Sequence, residues 1–234
     1  MANPFAGSPI SPPVFRGALV QLLEDFGVPV PNIVPFQYNP AKVTRNFTPW
    51  NPFATSQQNQ TAQAPLVQPF DPEETFGFDL EFNATDDIEL YNPVAMATGV
   101  ASRLAALKKL ILPSQGLIGD LVGSAKALAG KVAKEGTKPE VPVTLLILGT
   151  GIILPVRVTS LKIEITEFMP LLYPLAAKAT IELKVLTPDV FKCKKTTATG
   201  VAIAAYNLTK TQDDALAIAN AANVVAAIGS MVPV

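Results

Sequence analysis

The sequence predicts a mainly β protein of the α+β class: an antiparallel β-barrel or sandwich with a helical insertion and a small helical C-terminal appendage. Two observations carry this prediction. Residues 141–187 contain three segments in which apolar and polar residues alternate, and a period of two places the apolar residues on one face of a strand. A fourth alternating segment, residues 76–83, has three phenylalanines and a leucine on its apolar face.

Breaks in the pattern separate the three central strands. The first strand ends at a Gly-Thr-Gly sequence at residues 149–151, which predicts a turn. In the second strand, the apolar positions change from even numbers at Val158 to odd numbers at Leu161, which predicts a β-bulge near residues 159–160. The third strand follows EFMPLLYP, residues 167–174, whose two prolines predict a rigid extended loop.

The N-terminal part of the chain is less regular. Residues 14–27 have apolar residues at helical spacing and predict a short helix, which either caps the barrel or docks as an arm on a neighbour. Residues 33–38 and 43–47 predict two short strands. Residues 54–69 have neither charge nor periodicity and predict a loop.

Helical patterns flank the central strands. Residues 98–112 predict a helix that ends at Pro113, with one apolar stripe formed by Val100, Leu104, Leu107 and Ile111. Residues 114–135 form a basic amphipathic segment that packs on the barrel or a neighbouring subunit, or else lies on a membrane surface. Residues 213–229 are alanine-rich, with acids at the start and glycine at the end, as in a helix aligned with its dipole.

The composition excludes several classes of protein. Only 16% of the 234 residues are charged while 49% are hydrophobic, which indicates a surface covered by neighbours in an assembly. A net charge of −1 argues against nucleic acid as a partner. A single cysteine, Cys193, allows no internal disulfide. We expect no signal peptide in residues 1–13 and no direct membrane insertion, because no run of 18 uncharged apolar residues occurs.

The residues that usually carry chemistry are also missing. The chain has no histidine, and it shows no clustered acid pair, Ser/Lys signature, glycine-rich phosphate loop or metal-ligand spacing. We therefore expect no enzyme, no catalytic residue, no cofactor and no metal. Five acidic residues lack the spacing of a calcium loop and predict a solvated strand edge instead: Asp79, Glu81, Asp86, Asp87 and Glu89.

Three segments together resemble one family. Residues 33–50, IVPFQYNPAKVTRNFTPW, resemble the opening of the tube-type proteins of contractile injection systems and contractile phage tails, which typically begin with a Phe-Gln-Phe-Asn-Pro strand and turn. Residues 76–87, FGFDLEFNATDD, are similar to that family's second signature, an amphipathic strand with an acidic turn. Residues 143–188 are similar to its closing hairpins.

The chain departs from the family pattern at two places. Leucine and isoleucine precede Gly149, where family members usually carry an aromatic pair. The segment at residues 173–177 keeps the proline of the usual Gly-x-Pro-x-Arg-Ala loop and lacks its arginine. The resemblance therefore implies a divergent member.

The resemblance implies an organisation in three parts. Residues 1–32 would be an N-terminal arm with a short helix, and residues 33–188 a tail-tube-like β domain with a helical insertion at residues 98–135. Residues 189–234 would be a C-terminal appendage, either a degenerate LysM-like module with two short helices or an unrelated alanine-rich helix.

Within this family the chain is most similar to baseplate hub adaptors of the LysM type. Such an adaptor connects the inner tube to the spike hub and baseplate, and it implies tube, spike and baseplate proteins as partners and sister copies in a hexameric ring. Assembly in the bacterial cytoplasm would precede incorporation into the injection particle or virion tail. Alternatives are an inner tube subunit or tube initiator and, more distantly, an apolar-ligand or membrane-surface binding module.

Aromatic and proline-rich segments at residues 36–53 and 168–175 predict the contacts between subunits. The predicted interface residues are Phe36, Tyr38, Phe47, Trp50, Phe168 and Tyr173.

Overall fold

The computed structural model describes residues 16–25, 28–51, 68, 70–113, 121, 124, 141–192 and 196–231. In these residues one antiparallel sheet is formed by β1 (Ala18–Asp25), β2 (Val28–Pro35), β3 (Val43–Thr48), β4 (Glu73–Asn83), β5 (Thr144–Leu148), β6 (Ile152–Phe168) and β7 (Pro174–Val185). The strand order across the sheet is β2-β1-β5-β6-β7-β4-β3. The mainly β, α+β fold class predicted from the sequence is confirmed.

The three central strands and their breaks follow the predicted pattern. Strand β5 ends at the turn of residues 149–151, and β6 shifts register against β7 between Val158 and Ser160, which confirms the bulge. The loop between β6 and β7 is shorter than predicted, because both strands extend into it. Its five residues, 169–173, form a turn closed by a hydrogen bond of 2.8 Å from the amide of Met169 to the carbonyl of Tyr173.

The helix predicted at residues 14–27 is wrong, because this segment forms β1. Strand β1 lies between β2 and β5, with Leu19 opposite both Val34 and Leu146. The buried face of β1 includes the polar Gln21, whereas the half-buried face carries the apolar Val20 and Leu22, so apolar and polar residues do not alternate with a period of two. The predicted boundary of the N-terminal arm, residue 32, falls inside β2.

The sheet curves strongly around its core. Phe36, directly after β2, packs against Phe78 of β4 with 5.5 Å between the ring centroids. These strands are five positions apart in the sheet, which is about 24 Å in a flat one. Gln37 connects the end of β2 to the end of β4. Its side chain accepts a hydrogen bond from the backbone amide of Asn83 (2.9 Å) and donates one to the backbone carbonyl of Asn83 (2.7 Å).

The concave face of the sheet holds the core. The apolar face of β4 is fully buried, as the alternation predicted, and β7 contributes the facing residues on its odd-numbered positions. The main core residues on these two strands are Phe76, Phe78, Leu80, Phe82, Ala179, Ile181 and Leu183.

The helix predicted at residues 98–112 is present as α3 (Ala101–Lys109), which is shorter at both ends. Two further short helices precede it, α1 (Thr85–Glu89) and α2 (Pro93–Thr98). Gly99 ends α2 with a φ of +56°, a conformation that glycine adopts without strain. Leu104 and Leu107 of α3 are buried in the core as predicted, whereas Ile111 lies beyond the helix and is exposed.

Two buried amides fasten α3 to the first two strands. Gln21 of β1 donates to the carbonyl of Lys109 (3.2 Å), and Asn32 of β2 donates to the carbonyl of Ala106 (3.1 Å). The two side chains also bond each other at 3.3 Å. Carbonyls in the last turn of a helix have no partner within the helix, so these amides supply bonds that the helix cannot make.

The C-terminal part is a short 3₁₀ helix (Pro188–Phe191) followed by one continuous helix, α4 (Thr197–Met231). Helix α4 begins 16 residues before the predicted helix of residues 213–229, and it is not the pair of short helices that the LysM resemblance implied. Phe191, the last residue of the 3₁₀ helix, is buried. The predicted loop at residues 54–69, apart from residue 68, and most of segment 114–135 lie outside the described residues, as do residues 1–15.

Helix α4 supplies hydrogen-bond partners at one edge of β6. The hydroxyl of Thr209 accepts a hydrogen bond from the amide of Ile153 (3.0 Å) and donates one to the carbonyl of the same residue (2.8 Å). A single side chain thus replaces a neighbouring strand at this position. The adjacent carbonyl, that of Pro155, accepts from the amide of Leu186 at 2.8 Å.

We predict that Thr209→Val lowers the free energy of unfolding by about 1–3 kcal/mol, because it leaves the backbone amide and carbonyl of the half-buried Ile153 unpaired beside a buried side chain. Valine keeps the β-branched shape and removes only the hydroxyl. Thr211→Val is the matched control, since the exposed Thr211 bonds the Asn207 carbonyl within its own helix. Urea denaturation measures both variants, and equal losses would contradict the role of Thr209.

Candidate functional site

Strand β6 has an open edge. It pairs with β5 only from residue 152 to residue 156, and with β7 from residue 156 to residue 168. On the side of β5, residues 157–168 therefore have no strand partner among the residues that the structure describes. Burial also fades along this stretch: Val158 is buried, Leu161 and Ile163 are half-buried, and Ile165 is exposed.

The hairpin of β6 and β7 ends in an exposed apolar surface that it shares with α1 and α2. Hydrogen bonds connect the two parts, from the amide of Val100 to the carbonyl of Pro174 (2.9 Å) and from that of Ala84 to Leu175 (3.0 Å). We call this surface the apolar end. Its exposed residues are Leu90, Tyr91, Val94, Met96, Phe168, Leu171, Leu172 and Tyr173.

Backbone strain is concentrated at the apolar end. Tyr91 and Leu172 have φ values of +55° and +62°, and among the described residues they are the non-glycine residues with positive φ. Their side chains are 81% and 77% exposed. Strained positions that present large apolar side chains to solvent mark functional surfaces, because the free-energy cost serves no purpose in the isolated fold.

The predicted interface residues fall in different places. Phe36 is wrong as an interface residue, because it is fully buried against Phe78 in the curved sheet. Phe168 and Tyr173 belong to the apolar end. Tyr38 is exposed nearby and donates its hydroxyl to Asp86 at 3.3 Å.

Phe47 and Trp50 lie away from the apolar end. Phe47 is opposite Glu74, nine residues along β4 from the hairpin end, a separation of about 30 Å. It is exposed, and the guanidinium of Arg45 covers its ring at 4.7 Å from the centroid. Trp50 is half-buried.

The five acidic residues do not converge on one point. Asp79 pairs with Lys178 at 2.9 Å, and the hydrogen bond from Lys178 lowers its pKa. Asp87 pairs with Arg103, and Asp86 accepts the Tyr38 hydroxyl. Among the described residues, no three histidine, cysteine, aspartate or glutamate side chains form a group that would hold a metal ion.

A cluster of charged side chains, which we call the clasp, attaches α4 to β3 and β4. Arg45 forms ion pairs with Glu74 and, at 3.3 Å, with Asp213 of α4. Asp71 accepts hydrogen bonds from Tyr206 (3.0 Å) and Lys210 (3.0 Å) of the same helix. The clasp therefore holds the first half of α4 on the sheet.

The clasp changes the proton affinity of two of its members. The hydrogen bond from Lys210, followed by the one from Tyr206, lowers the pKa of Asp71. Burial, followed by the hydrogen bond to Asp71, raises the pKa of Tyr206 to about 12. Both shifts favour the state in which a neutral tyrosine donates to a charged aspartate.

An apolar cavity of about 480 Å³ lies between β1, β5, β6 and the start of α4. Its apolar walls are formed by Leu22, Leu110, Val143, Val156, Val190 and Phe191. Arg157 and Thr199 add polar groups at its boundary. The volume falls within the range of about 300–1,000 Å³ that is typical of binding pockets.

The sequence matches no protein-family model, and no curated protein matches it either. None of the helices in the described part of the chain combines the length and apolar character that crossing a bilayer requires. The geometry of the described residues therefore carries the functional assignment, together with the resemblance in the sequence.

The sequence reasoning missed one half of the apolar end. Residues 168–175 were predicted as a contact, whereas Leu90 and Tyr91 were not. A signal for them exists, because two large apolar residues directly precede Asn92, whose side chain caps the start of α2. Apolar residues in a short turn between helices have little chance of burial, so their exposure could have been expected.

We predict that Tyr206→Phe reduces the fall in the free energy of unfolding that occurs as the pH rises from 10 to about 12. The folded protein retains the Tyr206 proton between the ordinary pKa of 10.0 and about 12, whereas the unfolded chain loses it. The Tyr206 contribution to the free energy of unfolding is therefore complete below pH 10 and disappears as pH rises through about 12. Urea denaturation between pH 8 and 12 measures it; a constant difference between wild type and variant would refute the shift.

Proposed function

We propose that this protein is a non-enzymatic structural adaptor of a contractile injection system, which connects the inner tube to the spike hub and baseplate. The resemblance of residues 33–188 to tube-type proteins supports the assignment to a contractile injection system. Helix α4, which follows the antiparallel sheet and projects from it, supports an adaptor rather than an ordinary tube subunit.

The open edge of β6 is the observation that carries the proposal. On the β5 side, residues 157–168 have no strand partner within the described part of the chain, and the apolar face of this stretch is only partly covered. An exposed edge is a hazard to a soluble monomer, and pairing with a sister copy satisfies its backbone and covers Ile165 at the same time. Repetition of such a contact closes a ring, and the family resemblance implies six copies.

The apolar end supports contact with another component of the machine. It projects from the tip of the longest hairpin, so it reaches past the body of the sheet. The neighbouring charged residues Glu89 and Glu167 are both acidic, and both are exposed. A partner with an apolar surface and a basic rim therefore complements this end.

Two alternatives remain distinguishable by experiment. An inner tube subunit or tube initiator would use the same open edge, but it would stack in many copies along the tube. An apolar-ligand binding module is favoured by the cavity of about 480 Å³. The membrane-surface version of that module depends on segment 114–135, most of which lies outside the described residues.

Localisation in the native particle tests the proposal. The chain is tagged and the particles are imaged by electron microscopy. Label at the lower end of the tube is expected for the adaptor, whereas label along the whole tube would establish the tube subunit. Absence of label from the particles would overturn both.

We predict that Ile165→Lys weakens ring formation about tenfold or more, because a charge enters the face that a sister strand would cover. Ile165 is 42% exposed, so the change leaves the core intact. Thr166→Lys is the matched control, since it adds the same charge at an adjacent exposed position of the polar set. Sedimentation and negative-stain microscopy measure the assemblies, and equal behaviour of the two variants would contradict edge pairing at this face.

A further inference from the structure

The second half of α4 is exposed wherever its side chains are described. The polar contacts of α4 with the sheet end at Asp213, and the described residues from 214 to 224 are all exposed. Leu216 and Ile218 are 67% and 75% exposed. The sequence of residues 215–231 contains no charged residue.

Such a helix needs a partner. A surface helix of a soluble protein carries charged residues on the side that faces water, whereas a helix that is apolar on all sides is normally buried. Contiguous exposed apolar surface of this kind marks a docking site.

The cavity beside the start of α4 has complementary chemistry. Its walls are mainly aliphatic, and it opens to solvent next to Val190, which is 62% exposed. Arg157, at its boundary, makes no ion pair with any described residue. An uncharged apolar helix that carries an asparagine side-chain acceptor, as α4 does at Asn220, therefore fits both the walls and the guanidinium.

The helix cannot fill the cavity of its own chain. Thr199, near the start of α4, lines the cavity, and Leu216 lies 17 residues further along the same continuous helix. At a rise of 1.5 Å per residue, the separation is about 26 Å. Only the cavity of a second molecule is within reach of Leu216 and Ile218.

The charge pattern also disfavours the chain's own segment before β5. Residues 125–140 lead directly to the cavity wall at residue 141, but they contain four lysines and two glutamates. A net positive segment is repelled by Arg157, whereas residues 215–231 are uncharged.

We propose that the second half of α4 in one copy docks into the apolar cavity of a second copy. The contact is head-to-tail, because the helix and the cavity are different surfaces of the same chain, so it extends to a ring or a filament. It goes beyond the adaptor proposal and does not depend on it, since it involves neither the open edge of β6 nor the apolar end.

Two variants of the full-length chain separate the two halves of the contact. The helix variant carries Leu216→Glu and Ile218→Glu, and the cavity variant carries Val190→Glu. All three positions are exposed, so the fold is retained, which circular dichroism verifies. Leu208→Glu is the control: Leu208 is an exposed apolar residue in the first half of α4.

All variants are made in the Ile165→Lys background, which weakens pairing at the open edge of β6. Each variant alone is then expected to self-associate at least about 30-fold more weakly than the Ile165→Lys protein, because each places a carboxylate in the contact. The Leu208→Glu control and the edge variant Ile165→Lys retain this association. Mixing the helix variant with the cavity variant restores a 1:1 pair, since one supplies an intact cavity and the other an intact helix. Light scattering after size-exclusion chromatography and sedimentation equilibrium measure the species.

Three results would overturn the proposal. A wild-type protein that remains monomeric at about 100 μM has no such contact. A cavity variant that associates like the Ile165→Lys protein shows that helices pair with each other or that another segment occupies the cavity. Two monomeric variants that fail to pair on mixing show that the helix and the cavity are not partners.

Discussion

Backbone hydrogen bonding along β6 is the constraint on which the rest of the structure depends. This strand is the longest in the described chain. The hydrogen-bond partner of its backbone changes along each of its two edges. Strand β5 covers the first residues on one side, while Thr209 and Leu186 cover residues 153–155 on the other. Strand β7 continues to the tip, and only residues 157–168 on the β5 side are left without a strand partner in the described part. A buried polar group without a hydrogen-bond partner costs free energy, so each of these partners is needed where water is excluded from the core.

The same strand connects folding with association. At its start, β6 is buried between the core and α4, whereas towards the tip its apolar face becomes progressively exposed through Leu161, Ile163 and Ile165. The clasp holds α4 over the first part only, and the curved sheet brings Phe36 and Gln37 back to β4 rather than to the open edge of β6. The described chain therefore covers β6 at its start and leaves residues 157–168 without a strand partner on the β5 side.

The sequence predicts what depends on local alternation. The three central strands, the bulge and the aromatic face of β4 all follow from a period of two, and the structure reproduces them. Prediction from the local pattern fails where contacts with distant parts of the chain decide which structure a segment adopts. Strand β1 becomes a strand because β2 and β5 cover both of its edges, and Phe36 is buried because curvature brings it to Phe78. The interface role of the exposed aromatic residues stays a prediction, because only a partner molecule can test it.

The open edge of β6, the second half of α4 and the apolar end lie at different places on the sheet, so the proposed contacts do not block one another. The open edge of β6 forms hydrogen bonds perpendicular to the strands, so a neighbour there lies beside the sheet. Helix α4 follows β6 backwards, contacts Ile153 through Thr209 and then Thr150 through Gln212, and leaves the sheet beyond that turn. The apolar end lies at the opposite end of β6. The proposed pairing at the open edge, the proposed docking of α4 and the proposed contact at the apolar end therefore use separate surfaces, and one copy can make all three at once.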